Sequence, residues 1–134
     1  FLANAKNIEI NFISDSSYDV IADENMIKAA LRNLLTNAIK FSYKNSKISV
    51  YISDVDDFWV RVAVQDSGVG ISKEAIEKIF IYNQQLTTQG TNREKGSGLG
   101  LQICLEYIKM NEGKMWVESQ VGEGTTFNFT VKKA

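Results

Sequence analysis

The chain has 134 residues, 44% of them hydrophobic, with 15 Lys and Arg set against 16 Asp and Glu. That is the size of one domain with enough apolar residues to bury a core, which argues against intrinsic disorder. Charges that nearly cancel leave no basic stripe for nucleic acid and no polybasic run for direct contact with a membrane surface. There is no histidine, which rules out a Ser-His-Asp triad, a His metal site and a catalytic His within this chain. The single cysteine, Cys104, excludes an internal disulfide and fits a reducing, cytoplasmic setting. No apolar run is long enough to span a bilayer, and no signal peptide is visible. The chain opens at Phe1 without Met, as expected for a piece of a larger protein.

Ile8, Ile10 and Phe12 alternate with polar residues and predict a strand; Tyr18 to Ala22 predicts a short second one. Asp23 caps a helix running to about Phe41. Ile48, Val50 and Ile52 alternate again, and Asp54 to Asp57 make an acidic turn. Val60, Val62 and Val64 follow, so these two runs form a hairpin. Ser72 caps a helix over Lys73 to Phe80. Tyr82 to Lys95 is rich in Gln, Thr and Asn without apolar periodicity, which in a compact domain marks either a functional lid or a disordered segment. A helix from about Gly98 to Met110 carries Leu101, Cys104, Leu105 and Ile108 on one stripe, and Gly113 ends it. Lys114 to Ser119 and Thr125 to Val131 close the chain as a second hairpin turning at Gly122-Glu123-Gly124. With no proline available, the turns rely on Gly, Asn, Asp and Ser. The order ββ-α-ββ-α-lid-α-ββ, with no internal repeat and no linker, predicts one domain over residues 1–134. Its fold class is α+β, a two-layer α/β sandwich.

Three stretches carry residues suited to polar ligands. On the first helix, Ile27, Leu31, Leu34 and Ala38 centre an apolar face. Asn33, Asn37 and Lys40 lie at i, i+4 and i+7 on a second face flanking it, where a helix can line a cleft. A carboxamide oxygen is a hard ligand suited to Mg²⁺, which binds few protein groups alongside phosphate and water. Lysine meets phosphate as a point charge. By itself this pattern also describes a solvated polar face. Asp66-Ser67-Gly68-Val69-Gly70-Ile71 follows a strand: the carboxylate can accept from an exocyclic amine, and the glycines let a flat ring approach the backbone. It equally describes an Asp-Gly turn. Gly96-Ser97-Gly98-Leu99-Gly100-Leu101 places alternate glycines before a helix whose N-terminal N–H groups favour an anion, although glycines also make ordinary turns.

Taken together and in this order, these stretches closely resemble the nucleotide-binding boxes of sensor histidine kinases. The boxes are Asn33-Leu34-Leu35-Thr36-Asn37-Ala38-Ile39-Lys40-Phe41, Asp66 to Ile71, Gly96 to Leu101, and Gly122-Glu123-Gly124-Thr125. The resemblance covers nearly the whole chain and points to that family's catalytic and ATP-binding domain. The wider group includes gyrase, mismatch-repair ATPases and heat-shock chaperones. It implies the Bergerat ATP-binding fold, a mixed, mostly antiparallel sheet covered on one face by three helices, with a mobile lid at about 83–97.

The resemblance also implies roles. Asn37 would coordinate Mg²⁺, Asn33 would line the phosphate site, and Lys40 would lie near the phosphates. Phe41 would pack beside the nucleotide. Asp66 would accept the adenine amino hydrogen bond, with Gly68, Gly70 and Ile71 shaping the pocket. Gly96, Gly98 and Gly100 would form the hinge that anchors the lid, backbone N–H groups at Gly98, Leu99, Gly100 and Leu101 would contact the phosphates, and Ser97 belongs to the same nucleotide-binding stretch. Thr125 or Thr126 would place a hydroxyl near Asp66. Arg93 and Lys95 are the lid cations that would reach the γ-phosphate. The family often has two Phe before the lid; here Ile79-Phe80-Ile81-Tyr82 supplies Phe80 and leaves Tyr82 as the second aromatic.

The implied reaction is transfer of the γ-phosphoryl group of Mg-ATP to a histidine on a separate dimerisation hairpin, then to a response regulator receiver domain. The parent protein can be membrane-anchored. Rival readings are a gyrase- or chaperone-type ATPase, an anti-sigma-factor serine kinase and a non-catalytic nucleotide-binding scaffold. The ATPases usually carry a Glu where Asn33 stands, so a general base for hydrolysis is missing here.

Overall fold

Residues whose side chains alternate in polarity become strands when one face can be covered, and that is what sets the sheet here. The computed structural model describes residues 6–80 and 99–134. They form β1 (Glu9–Ser14), β2 (Val20–Ile21), α1 (Glu24–Phe41), β3 (Lys47–Asp54), β4 (Trp59–Asp66), α2 (Lys73–Phe80), α3 (Leu99–Met110), β5 (Met115–Gln120) and β6 (Gly124–Lys133).

β3 and β4 are joined by a tight turn in which Asp56 Oδ1 accepts from the Phe58 and Trp59 N–H groups at 2.8 and 2.9 Å. They pair antiparallel, with Val50 opposite Val64 and Ile52 opposite Val62. Between β1 and β3 lies α1, a crossover that returns the chain in the same direction, so this pair is parallel. β6 takes β4 along one edge; β5 and β2 share the other. The result is a six-stranded mixed sheet, antiparallel except at β1–β3.

One sheet face presents Val62, Val64, Phe127, Phe129 and Val131 to the helices, which return Ala30, Leu34 and Ala38 from α1 and Leu101, Cys104 and Ile108 from α3. α2 adds Ala75 and Ile76 to the same core. Burying one such side chain, Leu34 for example, is worth about 2 kcal/mol. α1 and α3 lie antiparallel. The Cys104 thiol donates to Ala30 O at 3.2 Å in the middle of the pair. Asn111 Oδ1 accepts from the Asp23 N–H at 2.8 Å at one end. This is the predicted α+β sandwich with three helices on one side. Among the described residues, no helix is long and apolar enough to cross a membrane.

Capping follows the sequence closely. Asp23 Oδ1 accepts from Met26 N–H at 3.0 Å, and Ser72 Oγ from Ala75 N–H at 3.2 Å. Three local expectations change. The second strand pairs only at Val20 and Ile21, because β6 has just Lys133 and Lys132 to offer there. Phe12 is 64% exposed despite its place in the alternation, because β1 is the outermost strand in the sheet order. The left-handed residue that ends α3 is Glu112 (φ 65°), not Gly113. Glu112 N–H donates to Lys109 O at 3.0 Å and Gly113 N–H to Ile108 O at 2.9 Å, a Schellman arrangement in which Gly113 is the second residue beyond the cap. The expected lid at about 83–97, with Arg93, Lys95, Gly96 and Ser97 in it, and Gly98 beyond it, lie outside the described residues.

Candidate functional site

A helix leaves its last four carbonyls without intrahelical donors. At the C-terminal end of α1 all four find partners elsewhere. Ser42 Oγ–H donates to Ala38 O at 2.6 Å. The Lys6 ammonium donates to Ile39 O at 2.9 Å and Lys40 O at 3.1 Å, and to Ser42 O at 3.0 Å. Val69 N–H donates to Phe41 O at 3.2 Å. The last bond brings the Asp66–Ile71 turn onto the helix that carries Asn33, Asn37 and Lys40.

Close packing explains the residue types in that turn. A Cβ on Gly68 would lie 1.9 Å from Phe41 O, so only glycine lets the turn reach the helix end. Gly70 has φ +76°, and a Cβ there would lie 2.3 Å from Gln120 O. On its far side the turn is fastened to the β5–β6 hairpin: Gly122 N–H donates to Val69 O at 2.8 Å, and Ile71 N–H to Ser119 Oγ at 2.7 Å. Ser119 Oγ also lies 2.8 Å from both Gly124 O and Thr125 Oγ1. A hydroxyl has one proton, so Ser119 donates to Gly124 O and accepts from Ile71 N–H and the Thr125 hydroxyl. Sequence reasoning missed Ser119; no spacing marks it, because its role depends on hairpin register.

Asp66 closes β4 and is 6% exposed. Burial pushes its pKa up to about 6, although the Gly68 and Thr125 backbone N–H groups pull it down. The Gly68 bond to Asp66 Oδ1 is 2.9 Å. Thr125 pairs directly with Asp66 and is buried, whereas Thr126 pairs with Gln65. Successive strand residues face opposite ways, so Thr126 lies on the outer sheet face, lining a concavity with Ala63, Gln65 and Glu118.

On α1, Asn33, Asn37 and Lys40 are all half-buried, at the margin of the apolar face. The Lys40 ammonium sits 4.8 Å from the centroid of the buried Phe41 ring. α3 begins beside Asn33: a Cβ on Gly100 would lie 3.7 Å from the Asn33 side chain. Leu101 and Ile71 are buried. The first turns of α1 and α2 carry Glu24 and Glu74, whereas that of α3 carries no acidic residue, so its own first turn offers no carboxylate to the positive dipole end next to Asn33. Burial pushes the Cys104 thiol up to about 12, against a hydrogen bond with Asn33 that lowers it, so this thiol is unreactive. Among the described residues, no three His, Cys, Asp or Glu cluster as a metal cage. Phe80 closes α2 and Leu99 opens α3; their side chains fall outside the described residues.

The structure thus brings Asn33, Asn37, Lys40, Phe41, Asp66, Gly68, Gly70, Ile71, Gly100, Leu101 and Thr125 onto adjoining elements from distant parts of the chain. Residues 22–134 match the family described as histidine kinase-, DNA gyrase B-, and HSP90-like ATPase. The phytochrome-like protein Cph1 of Synechocystis sp. is 41% identical over 113 residues, covering 84% of this chain and 15% of that protein. The adaptive-response sensory kinase SasA of Prochlorococcus marinus is 38% identical over 113 residues, covering 84% and 29%. The chain therefore spans less than a third of either relative's length. The nucleotide-free catalytic domain of histidine kinase ThkA superposes with a TM-score of 0.80 at 38% identity, covering 98% of this chain and 84% of that one. ThkA has also been solved in complex with the response regulator protein TrrA; there the match has a TM-score of 0.77 at 35% identity and covers 98% of this chain and 36% of that one.

Proposed function

This chain belongs to the histidine kinase-, DNA gyrase B-, and HSP90-like ATPase family, and we propose that it is the ATP-binding catalytic domain of a protein-histidine kinase. The observation that carries the reading is Asp66. A carboxylate is kept buried, with its pKa raised to about 6, at the bottom of a turn clamped between α1 and the β5–β6 hairpin. Burial of a charge without a charged partner is unfavourable and clusters at functional sites. An exocyclic amine would add a further donor to those of Gly68 and Thr125.

In this reading Asp66 accepts from the adenine amino group and rejects guanine, whose carbonyl at that position is an acceptor. Gly68, Gly70 and Ile71 shape the adenine pocket, with Thr125 rather than Thr126 beside the carboxylate. Phe41 packs against the nucleotide. Asn37 offers its carboxamide oxygen to Mg²⁺; Asn33 and Lys40 face the phosphates. Backbone N–H groups at the start of α3, from Gly98 to Leu101, donate to phosphate oxygens. When bound, Mg²⁺ supplies charge neutralisation, which together with positioning is most of what phosphoryl transfer requires. In the same reading Gly96, Gly98 and Gly100 would hinge a lid at about 83–97, Phe80 and Ser97 would belong to the nucleotide site, and Arg93 and Lys95 would reach the γ-phosphate. The γ-phosphoryl group passes to a histidine on a separate helical dimerisation domain of the same protein and then to a response regulator receiver. The complex of ThkA with TrrA supports the second partner. All 134 residues then make up one catalytic domain, working in the cytoplasm. An ATPase of the gyrase type is disfavoured, because Asn33 occupies the place of the water-activating Glu.

Calorimetric titration with a non-hydrolysable ATP analogue tests the binding half: affinity should rise with Mg²⁺ and fall in Asp66→Asn. Labelling of the longer protein with γ-labelled ATP tests transfer: an acid-labile, base-stable phosphoprotein is expected. Rapid ATP hydrolysis by the 134-residue chain alone would overturn the kinase assignment.

A further inference from the structure

Lys6 is 5% exposed, an unusual place for an ammonium group. Its three donors meet the carbonyls of Ile39, Lys40 and Ser42, at the negative end of the α1 dipole. The one carbonyl it skips, Phe41 O, is the one that receives Val69 N–H and packs against Gly68. Lys6 and the Asp66–Ile71 turn therefore grip the same helix end, taking consecutive carbonyls. The lysine is itself held. Lys6 O accepts from Asn45 N–H at 3.0 Å, and the neighbouring Asn7 (φ 55°) donates from Nδ2 to Asn45 Oδ1 at 2.7 Å.

Resting on the nucleotide reading above, we propose that Lys6 is a positioning residue for the adenine half of the site. It fixes the peptides from Ile39 to Ser42, and through Phe41 O it fixes the height at which Gly68 and Val69 sit. Without the ammonium group three carbonyls lose a donor and the last turn of α1 relaxes toward solvent. The Val69 bond lengthens, and the turn below Asp66 loses its footing. Asn33 lies further up α1, against the start of α3 and out of reach of this change. Asn37, the Mg²⁺ ligand of that reading, precedes the last turn, so the Mg²⁺ dependence is spared, whereas Lys40 stands inside the gripped segment and its approach to phosphate weakens together with the adenine pocket.

The test compares the unsubstituted chain with Lys6→Met, each titrated with adenosine and with a non-hydrolysable ATP analogue, with and without Mg²⁺. Lys6→Met should weaken adenosine about tenfold, as for loss of roughly one net charged hydrogen bond, and the analogue by at least that factor. The factor by which Mg²⁺ improves analogue binding should stay unchanged. A folded Lys6→Met with a lower melting temperature but unaltered affinities overturns the proposal, since Lys6 would then only cap a helix. So does a loss confined to the Mg²⁺-dependent part. If the unsubstituted chain binds nothing, the nucleotide reading fails first. Should Lys6→Met not fold, hydrogen exchange in the unsubstituted chain decides. Adenosine must slow exchange at both Ser42 and Val69 N–H, and protection at Val69 alone overturns the coupling.

Discussion

The two ends of α1 are capped in opposite ways. At the N-terminal end the bonds are exposed to solvent: Asp23 accepts from Met26 three residues on, and Asn111 reaches across from the end of α3. At the C-terminal end the partners come from far along the chain and are largely buried: Lys6 from the start and Val69 from the turn after β4. An exposed cap can be lost for about 1 kcal/mol because water replaces it. A buried one cannot be replaced, and the residues it fixes inherit its geometry. The same helix is thus anchored for stability at one end and for recognition at the other. Changes at the C-terminal end should move nucleotide affinity, whereas changes at the N-terminal end should move only the melting temperature.

The largest effect is expected at Gly68→Ala. Its methyl group would collide with Phe41 O at the backbone, where nothing flexible can give way. Stability should fall by about 3 kcal/mol, and affinity for an ATP analogue by about a hundredfold or more. Calorimetry beside a urea melt separates the two. Near-native affinity would mean that the helix end is not part of the site.

Asp66→Asn should split the two readouts. Affinity should fall about tenfold, while stability at pH 7 holds or rises. The sign follows from the pKa. A folded value of about 6 lies above that of the unfolded chain, so the contribution of Asp66 to stability is full below about pH 4 and is lost as pH rises through 6. The variant has nothing to lose over that window. Its advantage, up to about 3 kcal/mol at pH 7, should vanish near pH 4 in melts across that range.

At the other end of α1, Asp23→Ala should lower stability by about 1 kcal/mol with affinity unchanged within error. A matching loss of affinity would break the contrast between the ends. Smallest of all, Glu112→Gly should gain roughly 0.5 kcal/mol by relieving a left-handed non-glycine. Its ion pair with Lys132 is exposed and adds little.

The contrast between the ends also marks what the sequence disclosed. Period-2 alternation at Ile48–Ile52 and Val60–Val64 and the caps at Asp23 and Ser72 are local signals, and the elements they announce form where expected. That the stretches around Asn33, Asp66 and Gly100 belong to one group was legible through box order, which a resemblance can read without geometry; the structure puts Gly100 beside Asn33 and the turn after Asp66 on the end of α1. Lys6 was not legible, because its carbonyl partners lie 33 to 36 positions away and nothing local buries a lysine. Nor was the choice between Thr125 and Thr126, adjacent hydroxyls that only the register against Asp66 and Gln65 tells apart. Glu112 escaped notice because a neighbouring glycine offered the more familiar left-handed residue.

The most direct test of the central claim, that Asp66 reads the adenine amino group, is the adenosine affinity of the unsubstituted chain and of Asp66→Asn from pH 8 to pH 5. The unsubstituted chain should bind more tightly at pH 8 and lose that advantage as pH falls through about 6, where its free carboxylate takes up a proton. Asp66→Asn should stay level throughout. Parallel profiles, or a variant that binds as tightly as the original at pH 8, would contradict the assignment.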